Sequence, residues 1–407
     1  MTVRAPSDVT LREQGRDGPS TCDGATPLLG DAEALIKEAN QRKRRRRLFL
    51  VGIVVVILCV AGIGVVVLHG TTSPTPNVKR AAPHATKVTP PPTKVSTTGA
   101  ILEHPYGLAV GSNGALYVVD TGREEVLCRL STGRFVVVAG NGHLGFSGDG
   151  GPATDAELNL SDSSGLAVAR TGALYIADSG NNRVREVLPD GIIETVAGNG
   201  NSGMVLTATP ALQASLGEVS GIAIGPDGDL YIAARNVVQL TPSGTIEWVA
   251  GNSTTPAPAC GIECNPASEW DFTEPDQLAF DGAGDLFVSD GNGFDLYEIA
   301  ADGQLDYLAK FRGDGAAGAL AADPDGSVVE AWRDGLSRLT PNGQASAIAG
   351  NLNGALGGRN VFIAGDGVAV GPNGGIYLDA NAGNTFTTVS ALVEVSPNGA
   401  AIALWRS

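Results

Sequence analysis

The chain has 407 residues, of which 56 are glycine, 23 are proline and only 5% are aromatic. This mixture favours many short strands separated by tight turns. Residues 101–407 hold 13 of the 27 basic and 36 of the 43 acidic residues, which gives them a net charge of −23. A region this acidic repels phosphate groups, which excludes nucleic acid as its partner.

The first 47 residues contain ten basic and seven acidic side chains and few large apolar ones. Such a segment cannot form a core, and we expect a disordered tail over residues 1–47. A short helix beginning at Asp31 and a solvated charged segment both fit the sequence DAEALIKEANQRK. The tail ends in a run of six cations, Arg42, Lys43, Arg44, Arg45, Arg46 and Arg47.

Residues 48–68, LFLVGIVVVILCVAGIGVVVL, contain no charged residue. A helix of this length crosses about 30 Å of hydrocarbon, so the segment is predicted to span a membrane. The cationic run before it predicts a single-pass protein in the cell membrane, with a cytoplasmic N-terminus and an extracytoplasmic remainder. A cleaved signal peptide is the alternative, but its apolar core would be shorter and would not follow 47 polar residues.

A spacer is predicted after the membrane helix. Residues 69–100 are rich in proline, threonine and serine and contain no acidic residue. Segments of this composition stay extended, so we interpret the region as a stalk that holds residues 101–407 away from the membrane.

Residues 101–407 contain six related units. They are GLAVGSNGALYVVDTG at 107–122, GLAVARTGALYIADSG at 165–180, GIAIGPDGDLYIAARN at 221–236, QLAFDGAGDLFVSDGN at 277–292, ALAADPDGSVVEAWRD at 319–334 and GVAVGPNGGIYLDANA at 367–382. Alternating apolar residues around Asn-Gly or Asp-Gly predict a β-hairpin, and a second strand pair follows in each unit. Six four-stranded units predict an all-β fold, a six-bladed β-propeller.

The segment LYIADSGNNRVREV, residues 174–187, resembles the signature of NHL-repeat propellers. In that signature an aspartate ends one strand and asparagine and arginine begin the next, which matches Asp178, Asn181 and Arg183. Asp120 and Asp290 keep the acid, whereas the third and fifth units have Ala234 and Trp332 there. The resemblance implies a structural role for these residues.

The arrangement of tail, membrane helix and propeller is also similar to the sensor half of actinobacterial receptor Ser/Thr kinases. A tail of 47 residues cannot contain a kinase, so any signalling would need a partner at the tail. The predicted function is non-catalytic binding of an unknown extracytoplasmic protein or envelope ligand.

A glycine-rich segment, AGNGHLGFSGDGGPATDAEL, covers residues 139–158 and has a counterpart, AGNGNSGMVLTATPALQASL, at 197–216. Both keep Ala-Gly-Asn-Gly and Pro-Ala-x-x-Ala-x-Leu, while the glycines between them change. No lysine follows the glycines, so a connector between blades fits better than a phosphate loop. The segment resembles connectors of bacterial NHL-type proteins and teneurins, and the resemblance implies that Leu158 and Leu216 pack between blades. Asp149 would be a turn residue or a single cation ligand.

A metal-dependent lyase or a lactone or ester hydrolase acting in the central channel is the alternative function. The resemblance would then imply zinc or calcium. Residues 101–407 contain only two histidines, His104 and His143, and neither lies in a metal-ligand pattern. We therefore predict no catalytic residue, no metal ligand and no cofactor.

Two long inserts are candidate recognition loops. In the first, Cys260 and Cys264 are close enough in sequence to form a disulfide in an oxidising compartment, although two free thiols also fit. Trp270 and Phe272 lie in the same insert, and they would either anchor a partner or pack over the blades. Arg359 and Phe362 in the second insert carry the same two interpretations.

Overall fold

The computed structural model describes residues 102–203, 208–251, 267, 270, 272–291, 295–310, 319–332, 335–340, 344–349, 361–384, 387–397 and 400–406. The predicted tail, membrane helix and stalk lie outside these residues. The helical elements of the described part are single 3-10 turns at Ala153–Asp155, Ser179–Asn181 and Ala211–Gln213, and Ala267 has the same local conformation. None of them approaches the length and apolarity that a membrane-crossing helix needs.

Six antiparallel sheets make up the fold, and each is one blade. The strands of blades one to three are β1 (Pro105–Val110), β2 (Leu116–Asp120), β3 (Glu125–Arg129), β4 (Phe135–Ala139), β5 (Gly151–Pro152), β6 (Leu166–Val168), β7 (Leu174–Asp178), β8 (Arg183–Val187), β9 (Ile192–Ala197), β10 (Thr209–Pro210), β11 (Ile222–Ile224), β12 (Leu230–Ala233), β13 (Val237–Leu240) and β14 (Thr245–Ala250). Those of blades four to six are β15 (Pro275–Phe280), β16 (Leu286–Asp290), β17 (Asp295–Ile299), β18 (Leu305–Lys310), β19 (Ala319–Ala322), β20 (Val328–Trp332), β21 (Gly335–Leu339), β22 (Ala345–Ala349), β23 (Val361–Val370), β24 (Ile376–Asn384), β25 (Thr387–Val395) and β26 (Ala401–Arg406).

The predicted six-bladed β-propeller is confirmed. The strands of each blade pair in chain order, and the short strands β5 and β10 extend the outer edges of blades two and three. The innermost strands β1, β6, β11, β15, β19 and β23 face the centre, where β23 lies against β1 and closes the ring. Blade six is completed by β26, so its four strands all come from residues 361–406.

The innermost strands approach their neighbours so closely that side chains would collide. A Cβ atom on Gly107 would lie 2.2 Å from the carbonyl oxygen of Ser164, and one on Gly221 would lie 2.2 Å from that of Asp276. Both distances are far inside van der Waals contact, so only glycine permits this packing. In blades one and three the close approach of the next blade therefore requires glycine as the first residue of the repeated motif, whereas blades four and five have Gln277 and Ala319 there.

The core lies between neighbouring blades rather than within one blade. Each strand alternates its side chains between the blade before it and the blade after it, as the period of two requires. In blade one, for example, Leu116 and Val118 pack toward blade six, whereas Tyr117 and Val119 pack toward blade two. A single blade thus buries neither face alone, which is why the units form a closed ring.

Candidate functional site

Three buried aspartates accept hydrogen bonds from backbone N–H groups that precede the innermost strand of their own blade. Asp120 accepts hydrogen bonds from the backbone N–H groups of Glu103 and His104, at 2.8 and 2.9 Å. Asp290 does the same in blade four for the two residues after Phe272. Asp178 accepts one such bond, from Asn159, at 2.8 Å. The signature aspartates therefore replace missing backbone partners at the start of a blade.

In blade two this aspartate belongs to a larger cluster that fastens the glycine-rich connector, residues 140–157. Arg185 is completely buried and lies 3.3 Å from Asp178 and 2.8 Å from Asp149. It also donates to the carbonyl oxygen of Ser147, and Asn181 donates to that of Gly145 at 2.7 Å. Three polar contacts thus fix the loop to strand β8 and the turn before it, and the pair with Asp178 holds Arg185 in place. We call this cluster the connector clamp.

Asp149 is part of the clamp rather than an isolated turn residue. One carboxylate oxygen pairs with Arg185, and the other accepts a hydrogen bond from the Thr195 hydroxyl at 2.8 Å. Both oxygens therefore already have protein partners. The sequence did not single out Arg185, although a cation at an alternating, inward position of RVREV is a signal for a buried ion pair.

A cation–π stack covers the clamp. The guanidinium carbon of Arg183 lies 3.9 Å from the centre of the Phe146 ring, and that of Arg185 lies 4.9 Å from it. Arg183 also donates to the carbonyl oxygens of Asn181 and Asn199. Phe146 remains 41% exposed. The signature residues Asp178, Asn181 and Arg183 are thus brought together, and they bind the connector.

The insert with Trp270 and Phe272 turns out to be a third copy of the same connector. Its sequence PASEWDF aligns with PATDAEL and PALQASL, so that Trp270 occupies the position of Ala156 and Phe272 that of Leu158. The backbone agrees, because Gly251 donates to Ala267 as Gly140 does to Ala153.

This placement bears on the two interpretations that the sequence leaves open for Trp270 and Phe272, a partner anchor or packing over the blades. The Phe272 ring is buried against Tyr297 at 5.4 Å, and Trp270 is partly buried at 5.5 Å from the same ring. Of the two interpretations of this insert, packing over the blades describes these side chains. The Pro-Ala dipeptide was the signal that the sequence reading missed.

Several predicted residues cannot be placed. Cys260, Cys264 and Arg359 lie outside the described residues, as do the six cations from Arg42 to Arg47. The backbone of Phe362 lies in β23 and pairs with Asn381. The disulfide and the second recognition loop therefore stay predictions.

The central channel contains a cavity of about 220 Å³ between the six innermost strands. Gln277 contributes the only polar side chain among the residues that line it. One end is ringed by six apolar residues at equivalent positions, Val110, Val168, Ile224, Phe280, Ala322 and Val370. Within the described residues, no group of three or more histidine, cysteine, aspartate or glutamate side chains is arranged to hold a metal.

Two carboxylates outside the clamp are shifted by burial. Burial raises the pKa of Glu330 in β20 to about 7, and its side chain accepts a hydrogen bond from the Ser337 hydroxyl at 2.9 Å. Burial also raises the pKa of Glu124, which accepts a hydrogen bond from the Leu160 N–H and so ties blade one to blade two. Within the described residues the other oxygen of Glu330 is buried without a partner, which adds to the cost of ionising this carboxyl group.

No protein-family model matches the chain, so membership of the NHL family stays a prediction. A stretch of 99 residues is 36% identical to human teneurin-4 and covers 21% of this chain and 4% of that protein. Over 169 residues the chain is 33% identical to zebrafish (Danio rerio) teneurin-3, which covers 36% of this chain and 6% of the relative. The Arabidopsis thaliana protein SUPPRESSOR OF QUENCHING 1, chloroplastic, is 33% identical over 89 residues, 21% of this chain and 8% of its own length. The chain thus spans less than a tenth of each of these relatives.

Similar solved structures include a streptogramin B lyase, with a TM-score of 0.46 and 14% identity over 75% of this chain and 84% of that one. A putative gluconolactonase has a TM-score of 0.44 and 17% identity over 68% of this chain and 85% of its own. The propeller assignment rests on the strand pairing of the chain itself.

Proposed function

We propose that this chain is a single-pass membrane protein that presents its propeller outside the cytoplasm and binds a protein or an envelope ligand without catalysing a reaction. The apolar segment 48–68 and the cations before it support the membrane anchor and its orientation. A stretch that covers 21% of this chain is similar to human teneurin-4.

One observation carries the binding function. The first connector exposes Leu144 and Phe146 while two hydrogen bonds fix the backbone of Gly145 between them: Gly145 donates to Leu158 and accepts from Asn181. Apolar side chains held rigidly at a surface bind a partner with little loss of conformational entropy.

The membrane orientation is tested by labelling intact cells with a membrane-impermeant maleimide. A Ser112→Cys variant places a thiol at an exposed turn of blade one. We expect this position to be labelled in intact cells and Cys22 only after permeabilisation. Labelling of Cys22 in intact cells would overturn the orientation.

Binding is tested by photo-cross-linking in the same cells. A photoreactive amino acid is placed, one position at a time, at Ser112, Leu144, Leu212 and Ile402, which are all exposed. A discrete adduct from any of these positions supports binding, and no adduct from all four contradicts it. Elemental analysis of the purified full chain adds a second check, since one tightly held zinc per chain would count against a non-catalytic role.

A further inference from the structure

Four large apolar side chains are strongly exposed in the described residues, and three of them lie on neighbouring connectors. Leu144 is 67% exposed and Phe146 is 41% exposed on the first connector, and Leu212 is 58% exposed on the second. The fourth, Ile402, is on the outer strand of blade six. A concentration of exposed apolar side chains marks an interaction site more than scattered ones do.

A continuous chain of contacts joins the two connectors. Arg183 stacks on Phe146 at 3.9 Å and donates to the carbonyl oxygen of Asn199 at 3.0 Å. The Asn199 side chain donates to the carbonyl oxygen of Gln213 at 2.9 Å, and Gln213 follows Leu212 in the chain. We call Leu144, Phe146, Arg183 and Leu212 the connector patch.

The architecture does not require leucine at either end of this patch. The second connector has Ser202 at the position of Leu144, and the first connector has Thr154 at the position of Leu212. Phe146 differs, because its ring covers the buried Arg185. The two exposed leucines therefore have no packing role that the fold itself explains.

Arg183 gives the patch its charge. Arg123, Arg185 and Arg338 each form an ion pair with a carboxylate, whereas among the described residues no carboxylate pairs with Arg183. Among the described residues the Arg183 side chain donates to two carbonyl oxygens, those of Asn181 and Asn199, and a guanidinium has five N–H donors, so further donors are left for a ligand. In a region with a net charge of −23, this is an uncompensated cation between apolar side chains.

We propose that the connector patch binds a protein segment that places a carboxylate on Arg183 and apolar side chains against Leu144 and Leu212. The carboxylate matches the guanidinium, and the fixed connectors present the leucines without reordering. This inference rests on the proposed binding function and specifies the chemistry of the partner.

The test uses the full chain in nanodiscs of neutral phosphatidylcholine and a phage library of random 12-residue peptides. We expect enriched peptides to share an aspartate or glutamate flanked by apolar residues. Their affinity, measured by fluorescence anisotropy, should fall at least tenfold in Leu144→Ser/Leu212→Thr and in Arg183→Gln. The affinity should be unchanged in Ile402→Thr, which removes an exposed apolar side chain elsewhere.

The double variant introduces residues that this chain already has at the matched positions, so it should fold, and an unchanged thermal midpoint confirms this. For Arg183, whose backbone contacts also change, Arg183→Lys keeps the charge and should bind more tightly than Arg183→Gln. Enriched peptides without an acidic residue, or equal binding by wild type and the double variant, would overturn the inference. Self-association of the full chain that Leu144→Ser abolishes would instead identify a second copy as the occupant and also overturn it.

Failure of this inference can be distinguished from failure of the proposed function. If the peptides do not bind but photo-cross-links form at Ser112 or Ile402, the protein binds a partner at another surface. If no position gives a cross-link, the binding function itself is wrong.

Discussion

Blades two and three have different side chains at the same buried positions. In blade two, Asp178 at the end of β7 and Arg185 in the neighbouring strand β8 form a buried ion pair. In blade three, the matched positions hold Ala234 and Val238, both buried among apolar side chains. Both blades keep the same strand pairing and the same anchored connector. An ion pair is therefore not needed to build a blade of this propeller.

The difference lies in the connectors. Blade two uses its buried cation to fasten the polar segment SGDGG, whereas the second connector has the sequence VLTAT at those positions. Buried ion pairs contribute little net stability compared with apolar packing of similar volume. The ion pair of blade two is thus better understood as the means of holding a glycine-rich loop in one conformation.

The largest effect should come from removing only one member of the pair. Arg185→Val leaves Asp178 buried without its cation and releases Ser147 and Asp149, which should cost roughly 3–5 kcal/mol of unfolding free energy. Urea unfolding of the full chain measures this cost.

The double variant Asp178→Ala/Arg185→Val copies blade three and should recover part of that loss, while proteolysis at residues 143–150 increases. If the single and double variants lose the same stability and the loop resists cleavage in both, the two blades do not differ as described.

A smaller effect should come from the anchor that both connectors share. Leu158 and Leu216 are both completely buried, and truncation of either to alanine should cost roughly 2–5 kcal/mol through lost burial and a cavity. Because the anchor is common, the two losses should agree within about 1 kcal/mol. A much larger loss for Leu158→Ala in thermal or urea unfolding would show that the clamp and the anchor are coupled.

Glu330 is a buried carboxylate that, unlike Asp178, has no cationic partner among the described residues. Its pKa in the folded protein is about 7, compared with an ordinary value of 4.5. The protonated form is favoured by folding, so its stabilising contribution is complete below pH 4.5 and is lost as the pH rises through 7. We expect roughly 3–4 kcal/mol of the unfolding free energy to disappear across this range, at about 1.4 kcal/mol per pKa unit. Glu330→Gln should remove this slope, and parallel pH profiles for variant and wild type would contradict the interpretation.

The smallest effect concerns the outer half of the clamp. Asp149 is 45% exposed, and Asp149→Thr installs the residue of the second connector. We expect a loss of about 1 kcal/mol, because a partly exposed ion pair and one hydrogen bond disappear. Hydrogen exchange of residues 143–150 should increase. Unchanged exchange rates would mean that Arg185 holds the loop through Ser147 alone.

The fold could be predicted from the sequence because each blade carries its own local signals. Asn-Gly and Asp-Gly turns fixed the hairpins, and six repeats fixed the number of blades. Gly114 and Gly228 at the turns have the positive φ angles that this reasoning requires. Pairing within a blade is local in sequence, which is why the register follows from the pattern.

The candidate site was less accessible to prediction because it depends on contacts between blades. Arg185 and Asp149 are 36 residues apart, and nothing in the period of either strand indicates that they meet. For Trp270 and Phe272 the sequence left two interpretations open. Aromatic residues beside acids are typical of an exposed binding surface, whereas the Pro-Ala dipeptide before them indicates a connector whose side chains pack between blades. Comparison of the repeats with each other was the more reliable guide to burial.

The joint between blades six and one differs from the others in how it bears load. No connector crosses it in the described residues, and β1 and β23 are held together by packing that includes Leu102, Leu108 and Tyr377. If the protein is tethered through its N-terminus, a pulling force on the propeller enters at blade one, beside this joint. Such a force would act first on the apolar contacts that close the ring, so the strength of these contacts would set how much tension the propeller withstands.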